Sequence, residues 1–362
     1  MPSVEPKLSP SIRIGARLVG EGQPVFVIAE AGVNHNGNLE TALRLVDAAA
    51  DAGADAVKFQ TFKAEELAVE AAGMAEYQKS NLGMQESQLA MLKKLELAEA
   101  DYPAIIARCR ERNILFLSTP HSGQGSLEFL ARLNVLAFKF GSGEITNLPF
   151  LRSAARYGRP LILGTGMSTL DEVQEAYEAM HDVGAREIVF LHCTSNYPCR
   201  LVEVNLRAMR TMAEAFPTPV GYSDHTLDIQ VPVMAVAMGA SVIEKHFTLS
   251  RSMPGPDHAS SLEPDELKRM VLAIRKAETI LGSAHKRPNP SEFSTMAVAR
   301  KSLVTTAPVR AGERFTASNV GIKRPGTGLL PNLYDRLLSH AAKRDLSSGH
   351  VLTPDDVAGW GV

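Results

Sequence analysis

Eight short apolar segments, each followed by a longer amphipathic stretch, constrain the fold of this 362-residue chain more than any other feature. The segments are rich in β-branched and aromatic residues, which is typical of strands covered on both faces. The stretches between them place apolar residues at helical spacing. The predicted strands are Val25–Ala31, Ala56–Thr61, Ile114–Thr119, Ala137–Ser142, Leu161–Thr165, Ile188–Thr194, Val220–Asp224 and Val242–Thr248.

This alternation predicts an α/β protein, and eight strand–helix units predict a closed (β/α)8 TIM barrel of about 250 residues. An open doubly wound sheet is the alternative architecture, but no GxGxxG sequence follows the first strand. Local signals agree with the predicted helices. Asn38 is placed to cap the first helix and Gly53 to end it, and Thr169 with Glu172 forms a capping box for a later one.

The strand–helix alternation ends near Gly282. We predict a barrel domain over residues 1–284, a polar, proline-containing linker over 285–294, and a small domain over 295–362. Segments 309–320 and 346–357 repeat one pattern weakly, which indicates a compact, turn-rich, pseudo-symmetric module. Within the barrel domain, residues 12–22 predict a hairpin-like cap on the barrel floor. Residues 73–94 predict a long loop that serves as a lid or substrate wall.

Composition narrows the possible partners and location. A formal net charge of −2 gives no reason to expect nucleic acid or an anionic membrane surface as a partner. Three cysteines without a CxxC pair are typical of a reducing compartment. The N-terminus lacks the apolar core of a signal peptide, and no apolar run approaches the ~20 residues that span a bilayer. We therefore expect a cytoplasmic protein.

Polar side chains stand at or near the ends of the predicted strands. Barrel enzymes place their chemistry at the carboxyl ends of the strands, so these groups are expected to share one cavity. Burying an unpaired ammonium costs several kcal/mol, so Lys58 and Lys139 need carboxylate partners, for which Glu30 and Glu144 are available. Such pairs serve structure alone or form a pocket for a small phosphate ester with nearby hydroxyls. The strand-end candidates include Glu30, Lys58, Gln60, Thr119, Lys139, Ser142, Glu144, Ser195, Ser223, His225 and His246.

His225 and His246 end adjacent predicted strands. They are either hydrogen-bonded structural residues or a pair of metal ligands, and imidazole ligands favour Mn²⁺ over Mg²⁺. Two protein ligands would leave positions open for water and a substrate carbonyl. Asp257 belongs to a proline- and glycine-containing loop that is either a plain turn or a contact to substrate hydroxyls. Arg324 lies in a basic turn, or is presented there to a carboxylate.

Ten motifs carry a resemblance to a known family, and they occur in order: VIAEAGVNHNG, VKFQTFKAEEL, LSTP, FKFGSGEITNLP, TGMSTLDEV, LHCTSNYP, GYSDHT, IEKHFTL, PGPDHASSLEP and KRPGTG. With them the chain resembles the bacterial N-acetylneuraminate (sialic acid) synthase family, which includes legionaminate synthases. The resemblance covers nearly the whole chain from Val25 onward. Its C-terminal module resembles the antifreeze-like (SAF) domain of that family.

The resemblance implies a metal-dependent condensation of phosphoenolpyruvate with N-acetylmannosamine, giving N-acetylneuraminate and phosphate by C–O cleavage. The alternative acceptor is 2,4-diacetamido-2,4,6-trideoxymannose, which gives legionaminate, and a pseudaminate synthase is a third reading. The segment Gln85–Leu97 is similar to the neuraminate and legionaminate branches. Two other classes stay open: a metal-dependent aldolase or isomerase that works without phosphoenolpyruvate, and a non-catalytic carbohydrate-binding protein.

The resemblance also implies roles for individual residues. His225 and His246 bind the metal, Mn²⁺ first with Mg²⁺ or Co²⁺ as alternatives, and no organic cofactor is expected. Arg324 reaches the barrel of a partner subunit in a homodimer with swapped SAF domains. Gly164 replaces a serine that contacts phosphate in many relatives. Phosphoenolpyruvate is held by Lys58, Lys139, Thr119, Ser142 and Ser223, and the sugar site is lined by Glu30, Glu144, Gln60, Ser195, Tyr197 and Asp257.

Overall fold

The structure, a computed structural model, describes residues 11–70, 72–74, 78–79, 81 and 87–361. Gln85 and Glu86, which open the segment predicted to mark the acceptor branch, lie outside these residues. The chain divides into two compact units, Met1–Gly282 and Ser283–Val362. None of the described helices is long and apolar enough to cross a membrane.

The first unit is an eight-stranded parallel barrel preceded by an antiparallel hairpin. The hairpin strands are β1 Ser11–Ile14 and β2 Arg17–Gly20. The barrel strands are β3 Phe26–Gly32, β4 Ala56–Thr61, β5 Leu115–Pro120, β6 Phe138–Phe140, β7 Leu161–Gly164, β8 Ile188–His192, β9 Val220–Asp224 and β10 Val242–His246. Their order is β5-β4-β3-β10-β9-β8-β7-β6, and β5 contacts β6. The predicted TIM barrel is confirmed.

Helices surround the barrel and bury one face against it. Leu45 and Val46 of the first helix are completely buried, and burying side chains of this size stabilises the fold by about 1.5–3 kcal/mol each. The predicted caps are confirmed: Asn38 accepts a hydrogen bond from the Thr41 amide, and Gly53 ends the helix at a φ of 83°. The helices of the first unit include Leu39–Ala52, Ala64–Leu67, Gln88–Lys93, Tyr102–Glu111, Gln124–Arg132, Leu148–Ala155, Leu170–His181, Arg207–Ala215, Gln230–Ala237 and Pro264–Leu281.

The hairpin closes the amino end of the barrel, as the sequence predicted. Ile12, Ile14 and Val19 are buried in one apolar cluster with Phe26 and Val242, which begin β3 and β10. Apolar side chains therefore fill the amino end. The polar residues at the carboxyl ends of the strands are left to form the opposite end of the barrel.

The described residues of the second unit form two strands and two short helices. These are helix Phe293–Ala299, β11 Ser302–Thr305, β12 Val320–Lys323 and helix Tyr334–Leu337, and β11 pairs antiparallel with β12. Part of the predicted linker 285–294 is helical. Asn289 and Glu292 form a capping box around the 3-10 turn Pro290–Glu292, and the first helix follows at once.

The internal repeat of the second unit has a structural counterpart. The Thr316 amide donates to Asn319 Oδ1 at 2.7 Å, and the Thr353 amide donates to Asp356 Oδ2 at 2.9 Å. The two repeats also pair with each other, because the backbones of Val309 and Leu346 exchange hydrogen bonds of 2.8 and 2.9 Å. The equivalent apolar residues Phe315 and Leu352, and Val320 and Val357, are buried together.

Candidate active site

The carboxyl ends of the barrel strands converge on a cavity of about 410 Å³. Most of the residues predicted from the sequence line it. The lining residues that were predicted are Glu30, Gln60, Thr119, Lys139, Ser142, Ser195, Tyr197, Ser223, His225, His246 and Asp257.

Lys58 of β4 lies beneath the surface of the cavity, and its ammonium group contacts side chains from three other strands. Its side chain is almost completely buried, and its Nζ lies 2.9 Å from Glu30 Oε2 and 3.2 Å from Thr119 Oγ1. A second carboxylate, Glu244 Oε2, lies 3.6 Å away. The prediction that Lys58 needs a carboxylate partner is confirmed, and Glu30 is that partner.

Lys139 pairs with a carboxylate that the sequence did not single out. Its Nζ lies 3.0 Å from Glu244 Oε1, which also accepts a 2.9 Å hydrogen bond from the Ser223 hydroxyl. Glu144, the predicted alternative, is not among the residues that line the cavity. It stands on a 3-10 turn after β6, and its carboxylate accepts a hydrogen bond from Asn147 at 2.8 Å. Glu144 was therefore the wrong partner, because its carboxylate pairs with Asn147 while Glu244 meets Lys139.

The two buried carboxyl groups have opposite proton affinities. Burial alone would raise the pKa of Glu244, but Lys139 and Lys58 hold its pKa well below the usual range. Burial raises the pKa of Glu30, and although Lys58 opposes this rise, the charge of Glu244 adds to it. Glu30 Oε2 has no hydrogen-bond donor among the described residues besides its ion pair with Lys58. Glu244 therefore stays ionised, and Glu30 is the carboxylate better suited to accept a proton.

His225 and His246 face each other beside this charge network. Their ring centroids lie 5.5 Å apart, and the Tyr197 ring lies 4.1 Å from His225. His225 Nδ1 lies 2.6 Å from the Thr194 carbonyl, so Nδ1 carries the hydrogen and Nε2 keeps its lone pair. His246 Nδ1 is buried without a hydrogen-bond partner among the described residues. Burial lowers the pKa of His225 to about 4 and that of His246 well below its usual value.

These two neutral imidazoles fit a divalent metal ion. Metal ligation requires unprotonated nitrogen, and a hydrogen bond from the second ring nitrogen to a carbonyl typically orients a ligating histidine. An unpartnered buried nitrogen on His246 is otherwise costly. Groups of three or more His, Cys, Asp or Glu suited to a metal do not occur in the described part of the chain. A metal here would have two protein ligands and complete its coordination with water or substrate.

A buried ion pair flanks the two histidines on the outside of the barrel. Lys245 Nζ lies 2.5 Å from Asp224 Oδ2 and also contacts the carbonyls of Thr226 and Asp228. Asp224 in turn accepts a 2.9 Å hydrogen bond from the Thr226 amide. Since these residues are sequence neighbours of His225 and His246, the pair fixes the ends of β9 and β10 on which the histidines stand.

The glycine that replaces an expected serine lies beside Ser142. The Ser142 hydroxyl accepts a 2.9 Å hydrogen bond from the Gly166 amide and lies 3.1 Å from Cys193 Sγ. A Cβ added at Gly164 would lie 3.0 Å from the Ser142 hydroxyl. Ser142 would have to shift to admit a serine at 164.

Asp257 is held at the cavity by the loop that precedes helix Pro264–Leu281. Asn36 donates to the Pro254 carbonyl at 2.8 Å, and the Ser261 hydroxyl donates to the Asp257 carbonyl at 2.7 Å. Burial, with the charge of Glu30 as the smaller cause, raises the pKa of Asp257 to about 7. The loop is thus fixed through its backbone and leaves the Asp257 carboxyl facing the cavity.

One wall of the cavity is apolar. The segment 73–94 was predicted to form a lid or wall, and its described part supplies Met91 and Leu92, which pack with Leu95 and Val33. Arg324 belongs to the second unit, where it is exposed directly after β12.

Sequence reasoning gave no role to several of the lining residues, among them His121, Cys193 and Glu244. A signal existed for Glu244, because it is two residues from His246 on one strand and therefore faces the same side. His121 follows Pro120, the last residue of β5, and was passed over because the predicted strand ended at Thr119.

Comparisons with known proteins agree with this architecture. A protein-family profile described as the NeuB family matches residues 45–286, and the SAF domain profile matches residues 300–358. The chain is 45% identical to the N,N'-diacetyllegionaminic acid synthase of Legionella pneumophila, over 93% of this chain and 96% of that one. It is 44% identical to the enzyme of that name from Campylobacter jejuni, over 90% of this chain and 98% of that one.

Solved structures show the same similarity. The spore coat polysaccharide biosynthesis protein spsE of Bacillus subtilis aligns over 96% of this chain and 99% of that chain, with 36% identity and a TM-score of 0.66. The N-acetylneuraminic acid synthetase of Leptospira borgpetersenii aligns over 80% of this chain and 95% of that chain, with 34% identity and a TM-score of 0.70. The chain therefore belongs to the NeuB family of synthases and carries a C-terminal SAF domain.

Proposed function

We propose that this enzyme condenses phosphoenolpyruvate with an N-acetylated amino sugar, releasing phosphate by C–O cleavage. The observation that carries the proposal is the floor of the cavity, where two buried ammonium groups and two buried carboxylates adjoin a pair of neutral imidazoles. Charged groups are costly to bury, and such groups concentrate where they act on a substrate.

Phosphoenolpyruvate is the anionic substrate in this proposal. Lys139 and the hydroxyls of Ser142 and Thr119 line the cavity and can donate to its phosphate and carboxylate. Lys58 acts from below, since it already donates to Thr119 Oγ1. The Ser142 hydroxyl accepts from the Gly166 amide, so its own hydrogen can turn from Cys193 Sγ, 3.1 Å away, to a bound anion.

Chemistry at the sugar aldehyde centres on the imidazole pair. His225 and His246 would hold the metal, which we propose to be Mn²⁺ with Mg²⁺ or Co²⁺ as alternatives. When bound, the metal would supply a Lewis acid for the aldehyde oxygen. The C3 carbon of phosphoenolpyruvate attacks the aldehyde carbon. Glu30, with its raised pKa and with Oε2 bound only by the Lys58 ion pair among the described residues, accepts the proton of the water that adds at C2.

The acceptor we infer is 2,4-diacetamido-2,4,6-trideoxymannose, the alternative at the level of the sequence, in place of N-acetylmannosamine. Two relatives that are 44–45% identical are named N,N'-diacetyllegionaminic acid synthases. The apolar wall of Met91, Leu92, Leu95 and Val33 also suits an acceptor with a methyl group and a second acetyl group.

A substrate panel tests the proposal. Purified protein is incubated with phosphoenolpyruvate, Mn²⁺ and one of three sugars: N-acetylmannosamine, the diacetamido-trideoxymannose and a pseudaminate-type acceptor. We expect phosphate release with the highest kcat/KM for the diacetamido sugar, and a product mass that equals the condensed acid. No phosphate release with any acceptor contradicts the proposed reaction, and product formed without phosphoenolpyruvate indicates the aldolase class.

A matched pair of substitutions tests the apolar wall. Met91→Gln places an amide against the cavity and should lower the preference for the diacetamido sugar over N-acetylmannosamine by about tenfold, because such contacts discriminate substrates by 10–200-fold. Met238→Gln makes the same change at an exposed position and should leave the ratio unchanged. If the preference for the diacetamido sugar over N-acetylmannosamine is equal in both variants, the apolar wall does not determine acceptor specificity.

The swapped homodimer and the cytoplasmic location complete the proposal. Arg324, exposed on the second unit, is the residue that we propose to reach the cavity of a partner subunit. The location rests on the sequence alone and stays a prediction.

A further inference from the structure

His121 is the titratable group of the cavity that the proposed reaction leaves unused. It lies directly after β5, and it lines the cavity together with Thr119 and Lys139. Gly141 adjoins its ring: a Cβ at that position would lie 3.4 Å from Cε1 and 3.9 Å from Nε2. Because glycine stands there, the edge of the imidazole stays open to a bound molecule.

Among the residues that the structure describes, the ring has no hydrogen-bond partner that would explain its position. No side-chain or backbone hydrogen bond to its ring nitrogens occurs within the described ranges, and the charged groups that act on it are Lys58 of β4 and Lys139 of β6. Both lysines are themselves paired with carboxylates, Glu30 and Glu244. An unpaired imidazole beside two ammonium groups is placed to meet the same anion as they do.

We propose that His121 is a further catalytic residue: a general acid that protonates the phosphate as it leaves C2. The inference rests on the proposed function. In the tetrahedral adduct that follows water addition, C2 carries a hydroxyl and the phosphate ester oxygen. The C2–O bond to phosphate breaks, its electron pair stays on the phosphate oxygen, and the imidazolium N–H of His121 supplies the proton. The C2 hydroxyl loses its proton to a cavity carboxylate as the C2 carbonyl forms.

The two proton transfers balance, and the carboxyl proton returns to the imidazole through water. Binding of the substrate provides the protonated form. In the empty cavity, burial and the charges of Lys58 and Lys139 lower the pKa of His121 to about 3. Phosphoenolpyruvate brings a phosphate dianion and a carboxylate against these lysines, which reverses the local charge and favours the imidazolium. His121 is then protonated only when there is a phosphate to protonate.

Kinetics of two variants test the acid role. His121→Gln keeps a hydrogen-bond donor and His121→Phe keeps the ring shape, and neither can transfer a proton. We expect kcat for phosphate release to fall about 100-fold or more in both, as for a lost general acid. The KM for phosphoenolpyruvate should change far less. In the unmodified enzyme kcat should fall as pH rises through the pKa of the bound imidazolium, and this decrease should be absent in the variants. His285→Gln, at an exposed position, is the control.

Proton uptake on binding gives a readout that does not depend on turnover. Inorganic phosphate is titrated into the protein at pH 7 by calorimetry in two buffers with different ionisation enthalpies. We expect the unmodified protein to take up more protons than His121→Gln, since the change in protonation of the phosphate itself is common to both proteins. Equal uptake by the two proteins, or kcat within about threefold of the unmodified enzyme in both variants, overturns the proposal. If the protein turns over no sugar and yet loses uptake in His121→Gln, the proposed reaction fails while the anion contact of His121 stands.

Discussion

Replacing Lys245 with methionine tests whether the buried ion pair behind the histidines stabilises the barrel. Methionine keeps the aliphatic stem and leaves the Asp224 carboxylate buried without its ammonium partner, 2.5 Å away in the structure. Removing one partner of a buried pair costs about 3–5 kcal/mol. Asp224 keeps hydrogen bonds of 2.9 and 3.1 Å from the amide and hydroxyl of Thr226, so we expect a loss at the lower end, about 3 kcal/mol.

Urea unfolding provides the assay. Circular dichroism follows the helices around the barrel, whereas the fluorescence of Trp360, the sole tryptophan, follows the second unit. Arg210→Met is the control. It removes an exposed pair with Glu214, at 2.8 Å, and should cost less than about 0.5 kcal/mol.

The double variant Asp224→Asn with Lys245→Met decides the origin of the loss. Neutralising both partners removes the uncompensated charge, so the double variant should be clearly more stable than the sum of the two single losses allows. The reasoning is refuted if Lys245→Met costs less than about 1 kcal/mol, or if the two losses simply add.

Three further predictions follow from the site and from the second unit. Lys58→Ala should fold and show a raised KM for phosphoenolpyruvate, and an unchanged KM contradicts its role in binding that substrate. Mixing Lys58→Ala with inactive Arg324→Ala should restore activity in part if SAF domains swap, and no restored activity contradicts the swap. His246→Ala should lower Mn²⁺ affinity at least tenfold in equilibrium dialysis without phosphoenolpyruvate, as expected for a lost ligand, whereas unchanged affinity removes it from the metal site. Burial opposes ionisation of Asp356, but His350 and Arg344 lower its pKa to about 2, so its contribution to stability should persist above about pH 4 and vanish as pH falls towards 2. Acid unfolding followed by Trp360 fluorescence should show this loss, and Asp356→Asn should remove it.

Most of the barrel could be predicted from the sequence because each strand is a short apolar run and several helices carry a recognisable capping residue. The boundaries that differ do so for local reasons. β6 was predicted to reach Ser142 and ends at Phe140, since Ser142 begins a 3-10 turn. The repeat in the second unit was visible for a similar reason, as its turns depend on residues close in sequence.

The sequence predicted which residues belong to the candidate site, but it did not predict which carboxylate pairs with which lysine. Strand-end position sufficed to gather Lys139, His225 and His246 around one cavity. Which carboxylate meets Lys139 depends on how the strands are staggered around the barrel, and no local pattern encodes that stagger. Glu144, which is close to Lys139 in sequence, was therefore named as the partner. Glu244 is distant from Lys139 along the chain but contacts it in the structure.

The register of the barrel places Lys58, Glu30 and His246 side by side on β4, β3 and β10. Backbone hydrogen bonds between neighbouring strands thus fix the spacing of the three Cα positions that carry the ammonium, carboxylate and imidazole. For protein engineering, these three positions are consecutive places in a rigid row. Their chemical groups can be exchanged or permuted while the spacing between them is kept by the scaffold.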